Sequence, residues 1–193
     1  MREIMIDLDN TLVNFTQMLF NHIEEKFGYH FEENDVVDYD FSVLFCKHGC
    51  SREEIYKFFE SIYSDETLYT KQLVLSKYFD KILEYIKIWK DLDYKIVCHT
   101  KVSSDQMRKS KEEMFDRLLF KNVFDNIIIE YIQGKKVIFS TKDSHYDIIV
   151  DDSPYIIEDY LKNNKEGKVY LPVTEYNKFL LDKEEYKDRI LML

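Results

Sequence analysis

The stretch "IMIDLDNTLVNF", residues 4–15, decides how the rest of the chain is read. A compact, strand-like apolar run ends in two aspartates, Asp7 and Asp9, with Leu8 between them. On an extended segment alternate side chains share a face, so Asp7 and Asp9 look toward one place while Leu8 turns to the core. Two carboxylates held that close repel unless something positive stands among them. Directly afterwards the period changes. From Val13 the apolar residues fall at 15, 18, 19, 20, 23 and 27, the spacing of one helix face, and Gly28 follows as a C-terminal cap.

Further along, the chain alternates between the two periods. "SREEIYKFFESIY" opens with Ser51 and has Glu54 three residues on, a capping-box signature. "LSKYFDKILEYIKIWKDL" (75–92) is an amphipathic helix, and "YKIVCHT" (94–100) reads as a second strand. "SSDQMRKSKEEMFDRLLF" is a helix capped by Ser103 or Ser104. "NIIIEYI" and "KVIF" read as strands around a turn at Gly134, and "YDIIVDDSP" as a buried strand ending in acids. "PYIIEDYLKNN" is a helix with Pro154 in its first turn, and "KVYLP" is expected to be the last strand.

Strand–helix alternation predicts an α/β fold, a Rossmann-like parallel sheet. One connection is too long for a simple crossover: roughly 90 residues separate the first strand from the second. Most of them read helical. The expected organisation is therefore a core of residues 1–14 and 74–193 with a small helical cap, residues 15–73, inserted after the first strand and sitting over one end of the sheet. Ligands of such sheets bind at the carboxyl ends of the strands.

Three strands end there in chemistry: the first in Asp7 and Asp9, the second in His99-Thr100, and "YDIIV" in Asp151-Asp152. Four carboxylates at one sheet edge call for a divalent cation, and an oxygen-only donor set suits Mg²⁺. An aspartate can also act as a covalent nucleophile, forming an aspartyl-phosphate, while its neighbour handles protons. Thr100 offers a hydroxyl to a phosphate oxygen, and a lysine in the following helix offers charge. His99 reads as a core or supporting histidine. Asp151-Asp152 before Ser-Pro also suits a helix N-terminus.

Composition narrows the classes. The 193 residues are 45% hydrophobic and 33% charged, enough for a packed core. A net charge of −10 argues against binding a nucleic-acid backbone. No apolar run approaches the roughly 18 residues of a membrane span, and "MREIMIDLD" reaches its acids too early for a signal peptide, so a cytoplasmic protein without membrane partners is expected. Cys46, Cys50 and Cys98 are an odd set that favours free thiols. "CKHGC" (46–50) lacks a second Cys/His pair to complete a metal site. Fifteen tyrosines and 14 phenylalanines, several of them in the insertion, read first as packing.

Taken together, "DLDNT" (7–11), the strand ending in Thr100, the lysine in the next helix and "DDSP" (151–154) resemble the four motifs of the haloacid dehalogenase (HAD) superfamily of phosphohydrolases. The resemblance implies Asp7 as nucleophile and Asp9 as acid and base. It implies Mg²⁺ held by Asp7, the Asp9 backbone carbonyl and the Asp151/Asp152 pair, one of which binds directly. The second acid of the first motif is absent from true dehalogenases, so Asp9 points to phosphate chemistry. A narrower similarity, to the 5′(3′)-deoxyribonucleotidases, rests on "DLDNTLVNF", "SREEIYKFFES", the spacing from Thr100 to "KEEMF", and "IIVDDSP". It implies Lys111 as the phosphate lysine, with Lys109 as competitor, and Phe15 as the base-stacking aromatic, with Tyr69 as a second wall. That family's Thr-Ser-Pro reads Thr100-Lys101-Val102 here, its usual first-motif glycine is Asn10, and Lys101 is expected beside the substrate with Thr100 and Lys111.

The expected activity is hydrolysis of a small phosphomonoester, a (deoxy)nucleoside 5′-monophosphate, by a monomer or homodimer. Two rivals stand beside it: a phosphatase for a sugar phosphate or other small metabolite, and a catalytically idle nucleotide-binding protein of the same fold.

Overall fold

A computed structural model describes residues 2–117, 122–132 and 146–193. Six parallel strands form one sheet in the order β3-β2-β1-β4-β5-β6. They are β1 (Glu3–Ile6), β2 (Lys95–Val102), β3 (Asn126–Tyr131), β4 (Ile148–Val150), β5 (Lys168–Leu171) and β6 (Ile190–Met192). This is the doubly wound order, with its switch point between the first strand and the fourth. The central strands are near-continuous apolar runs because both faces are covered. Ile4 and Ile6 enter one buried cluster with Ile96, Cys98 and Val150, while Met5 enters the other with Val97, Ile149 and Val169.

Helices pack around the sheet: α5 (Phe79–Asp91), α6 (Asp105–Arg117) and α7 (Pro154–Asn163) connect strands. Of the two serines proposed to cap α6, Ser104 does so, its Oγ accepting the Met107 N–H at 3.1 Å. The expected strand "KVIF" lies outside the described residues.

Residues 15–73 contribute no strand. They hold α1 (Phe15–Phe27), α2 (Phe41–Lys47), α3 (Arg52–Tyr63) and α4 (Leu68–Lys71). The local signals act as their chemistry dictates. Gly28 ends α1 at φ +73°, a conformation that glycine adopts without a Cβ penalty. In the α3 capping box, Ser51 Oγ accepts the Glu54 N–H while the Glu54 carboxylate accepts the Ser51 N–H at 2.7 Å. The aromatics of the insertion form its interior: Phe31 packs on Phe20 and Phe45 with ring centroids 5.5 and 5.0 Å apart, and Phe45 packs edge-on to Phe58 at 5.4 Å. Tilted and edge-on arrangements of this kind are the favoured aromatic geometries.

"KVYLP" is not the last strand, a correction to the sequence reading. After β5 the chain makes two 3₁₀ turns and returns as β6, pairing Tyr170 with Leu191. Three residues, two of them exposed, are too few to show a period. Besides its pairing with β5, β6 is anchored by Arg189, which donates to the carbonyls of Leu161 and Asn164 at the end of α7 and of Gly167 in the following loop. Cations are favoured at that negative helix end.

Candidate active site

Register builds the site. Ile6 pairs with Cys98 on one side and Val150 on the other. The next residues, Asp7, His99 and Asp151, therefore come level at the carboxyl edge, and the Asp7 N–H donates to Val150 O at 2.9 Å. Leu8 is fully buried, turned away from its two acidic neighbours. Its carbonyl accepts the Leu12 and Val13 N–H groups at 2.9 and 3.0 Å, curling the chain into α1. Asn10 makes that curl at φ +56°, left-handed backbone where asparagine is among the few tolerated side chains. Its Oδ1 then accepts from Thr16 N and Oγ1 at 2.9 and 3.0 Å.

Asp7, Asp151 and Asp152 place one carboxylate oxygen each within 4.8 Å of the others. Burial raises the Asp7 pKa well above the usual carboxylate range, and Asp151, Asp152 and Asp9 push it further; only Lys111 pulls it down. Asp151 is raised by burial and by Asp152. Burial lifts Asp152 to about 7 against an opposing hydrogen bond from the Tyr176 hydroxyl. Asp151 Oδ1 takes the Ser153 N–H at 2.8 Å, and its buried Oδ2 has no hydrogen-bond partner. Three crowded acids, one with an orphaned buried acceptor, fit a hard cation held by oxygen.

Asp9 stands outside that triangle. Its Oδ1 accepts the Tyr69 hydroxyl at 2.6 Å and its Oδ2 accepts the Lys111 ammonium at 2.6 Å. Lys111 is fully buried and also donates to Thr100 Oγ1 at 2.7 Å and Lys101 O at 2.8 Å. An ammonium has three donors, and all three are engaged. Lys109 instead points to the surface, 3.4 Å from Glu66.

Above the acids lies a cavity of about 230 Å³. Asp7, Asp9, Asp151, Asp152, His99 and Lys101 border it below, and Phe15, Tyr39, Phe41, Phe59 and Tyr63 from the insertion wall it above. It has room for several times the roughly 30 Å³ share of one water, hence for more than a bare phosphate. Lys101 is half-buried; burial lowers its pKa, against the attraction of Asp151 and Asp7. His99 is also lowered by burial, with Nε2 3.0 Å from Glu130.

Phe15 thus borders the cavity, whereas Tyr69, Thr100 and Lys111 are buried beside it and do not. The Phe15 and Tyr69 rings stack on each other with centroids 6.3 Å apart. A planar ring between them needs two van der Waals spacings, about 7 Å. They therefore form no slot. Sequence reasoning missed Tyr176 and Asn177, which hold Asp152 by its side chain and by its carbonyl at 2.9 Å. "EYNKF" carries no motif, and only the fold brings it under α7.

No protein-family model matches the chain, and none of the curated proteins matches it. Solved structures do. A haloacid dehalogenase-like hydrolase from Xanthomonas campestris is similar at 12% identity over 100% of this chain and 90% of its own, with a TM-score of 0.50. A HAD-superfamily hydrolase from Ehrlichia chaffeensis is similar at 13% identity over 89% and 87%, TM-score 0.46. The Bacillus subtilis HAD-hydrolase YfnB, bound to magnesium, is similar at 12% identity over 88% and 86%, TM-score 0.48. The fold is a HAD-like α/β fold, a Rossmann-like parallel sheet with helices. Among the described residues no helix is long and apolar enough to cross a membrane.

Proposed function

We propose that the chain is a Mg²⁺-dependent phosphatase that hydrolyses nucleoside 5′-monophosphates, deoxy forms foremost, through a phosphorylated aspartate. The observation that carries this reading is the triangle of Asp7, Asp151 and Asp152 lying directly beneath an aromatic-walled cavity. A phosphate seated on the acids leaves its ester group among Phe15, Phe59 and Tyr63, surfaces on which a nucleobase stacks.

Asp7, Asp151 and Asp152, with the Asp9 backbone carbonyl, would hold the metal, which would neutralise the acids and the phosphoryl oxygens. The Asp7 carboxylate attacks phosphorus and the P–O ester bond breaks, with Asp9 giving a proton to the leaving oxygen. Water, losing its proton to Asp9, then attacks the phosphorus of the aspartyl-phosphate, releasing inorganic phosphate and restoring Asp7. Lys101 faces the phosphoryl group from the cavity wall, while Lys111 and Thr100 hold Asp9 and the strand end in place. The insertion excludes water and selects the leaving group.

The test is phosphate release from a panel of deoxy- and ribonucleoside monophosphates and sugar phosphates, with Mg²⁺ and with chelator. Selective, Mg²⁺-dependent release from deoxynucleotides supports the reading. Release from sugar phosphates alone moves the substrate to the rival phosphatase. Retention of nucleotide without any release moves the protein to the idle binding class.

A further inference from the structure

From the same geometry we infer that Tyr69 is a positioning residue for the proton transfer, acting through Asp9, rather than a wall of the substrate pocket. This rests on the phosphatase reading above. Tyr69 belongs to the insertion, yet it is fully buried and its hydroxyl donates to Asp9 Oδ1 at 2.6 Å. The Lys111 ammonium takes the other oxygen and lies over the Tyr69 ring, 4.9 Å from its centroid. Asp9 is thus gripped at both oxygens by two side chains that also touch each other.

The grip is built in from both ends. The Tyr69 backbone N–H donates to the buried Ser110 Oγ at 2.8 Å, one residue from Lys111. The phenol and the ammonium are carried on α4 and α6, so the link between those helices sets their separation. A short helix of the insertion therefore reaches past the cavity and fixes the rotamer of the one carboxylate whose direction decides whether a leaving oxygen receives its proton. Phe15, stacked on the Tyr69 ring, borders the cavity and so links that ring to the space an ester group would fill.

Up to phosphoryl transfer, a residue that acts through Asp9 matters only where the leaving group needs a proton. The kcat/KM reports the step up to phosphoryl transfer, and p-nitrophenolate leaves without protonation, whereas a sugar or alkyl oxygen does not. Tyr69→Phe keeps the ring and removes the hydroxyl. Its kcat/KM for a deoxynucleoside monophosphate is expected to fall about tenfold or more, and that for p-nitrophenyl phosphate to stay within about threefold. In an Asp9→Asn background, Tyr69→Phe is expected to add no further loss, because the two residues form one unit. Equal losses on both esters, or losses that multiply with Asp9→Asn, overturn the inference. Fluorotyrosine at position 69 keeps the fold if Tyr69→Phe does not, and an unchanged ratio of the two kcat/KM values in that protein overturns it as well. Wild-type protein that hydrolyses neither ester overturns the phosphatase reading itself, and this inference with it.

Discussion

Lys111 pairs with Asp9 at 2.6 Å, outside the triangle that Asp7, Asp151 and Asp152 form. A fully buried cation, with each proton assigned to a different oxygen, braces the proton-handling aspartate and the end of β2 at once. Replacing Lys111 by methionine keeps the volume and removes all three bonds. The expected outcome is a loss of about 10²–10³ in kcat, comparable to removing one preorganised donor, read by steady-state phosphate release. Near-normal turnover contradicts that role.

Asp152 is held by Tyr176 from the segment beyond β5. Removing a partner that orients a metal-binding carboxylate costs about 10- to 100-fold in metal affinity. Tyr176→Phe is therefore expected to weaken Mg²⁺ binding by that factor in calorimetric titration without abolishing folding. An unchanged affinity removes Asp152, or its brace, from the metal site.

In the insertion, His22 is buried with Nδ1 3.3 Å from Asp65 and Nε2 2.9 Å from Ser61. Burial and Lys26 lower its pKa below 6.5, outweighing Asp65 and Glu25. The unfolded chain takes up a proton near 6.5 that the folded chain resists. Its contribution is present in full above about 6.5 and is lost as pH falls from there through the lowered folded value. Denaturant midpoints are expected to drop between pH 7 and pH 5.5 in wild type and to drop less in His22→Gln. Equal drops in the two proteins contradict this.

Gly167 sits against Tyr160, whose ring fills the space where a Cβ would stand and whose hydroxyl donates to Tyr146 O at 2.9 Å. Gly167→Ala forces the buried ring to move. Overpacking of this kind costs about 1–3 kcal/mol, so thermal melting is expected to drop by roughly 2–4 °C per kcal/mol in a chain of this size. An unchanged melting temperature shows that the ring yields freely.

How much of this was legible in the sequence depended on how local the signal was. The edge of the sheet that carries Asp7, Thr100 and Asp151 was readable because each of those residues ends its own apolar run, while Ser51 and Gly28 announce helix ends through bonds to near neighbours and Pro154 through its fixed φ. The overlong connection read as helical, and α1 to α4 occupy it. Tyr69 was noticed, but a tyrosine at helical spacing says nothing about whether its hydroxyl meets ligand or Asp9, 60 positions earlier. Tyr176, Asn177 and β6 were missed because what they do is set by tertiary contacts across 21 or more residues, with no period or cap to mark them.

The most direct measurement is Mg²⁺-dependent phosphate release from deoxynucleoside monophosphates by wild type beside Asp7→Asn. Release by the wild type that stops with chelator and is absent from the variant is the predicted result. Comparable release by Asp7→Asn contradicts the central claim, that Asp7 is the group phosphate is transferred to.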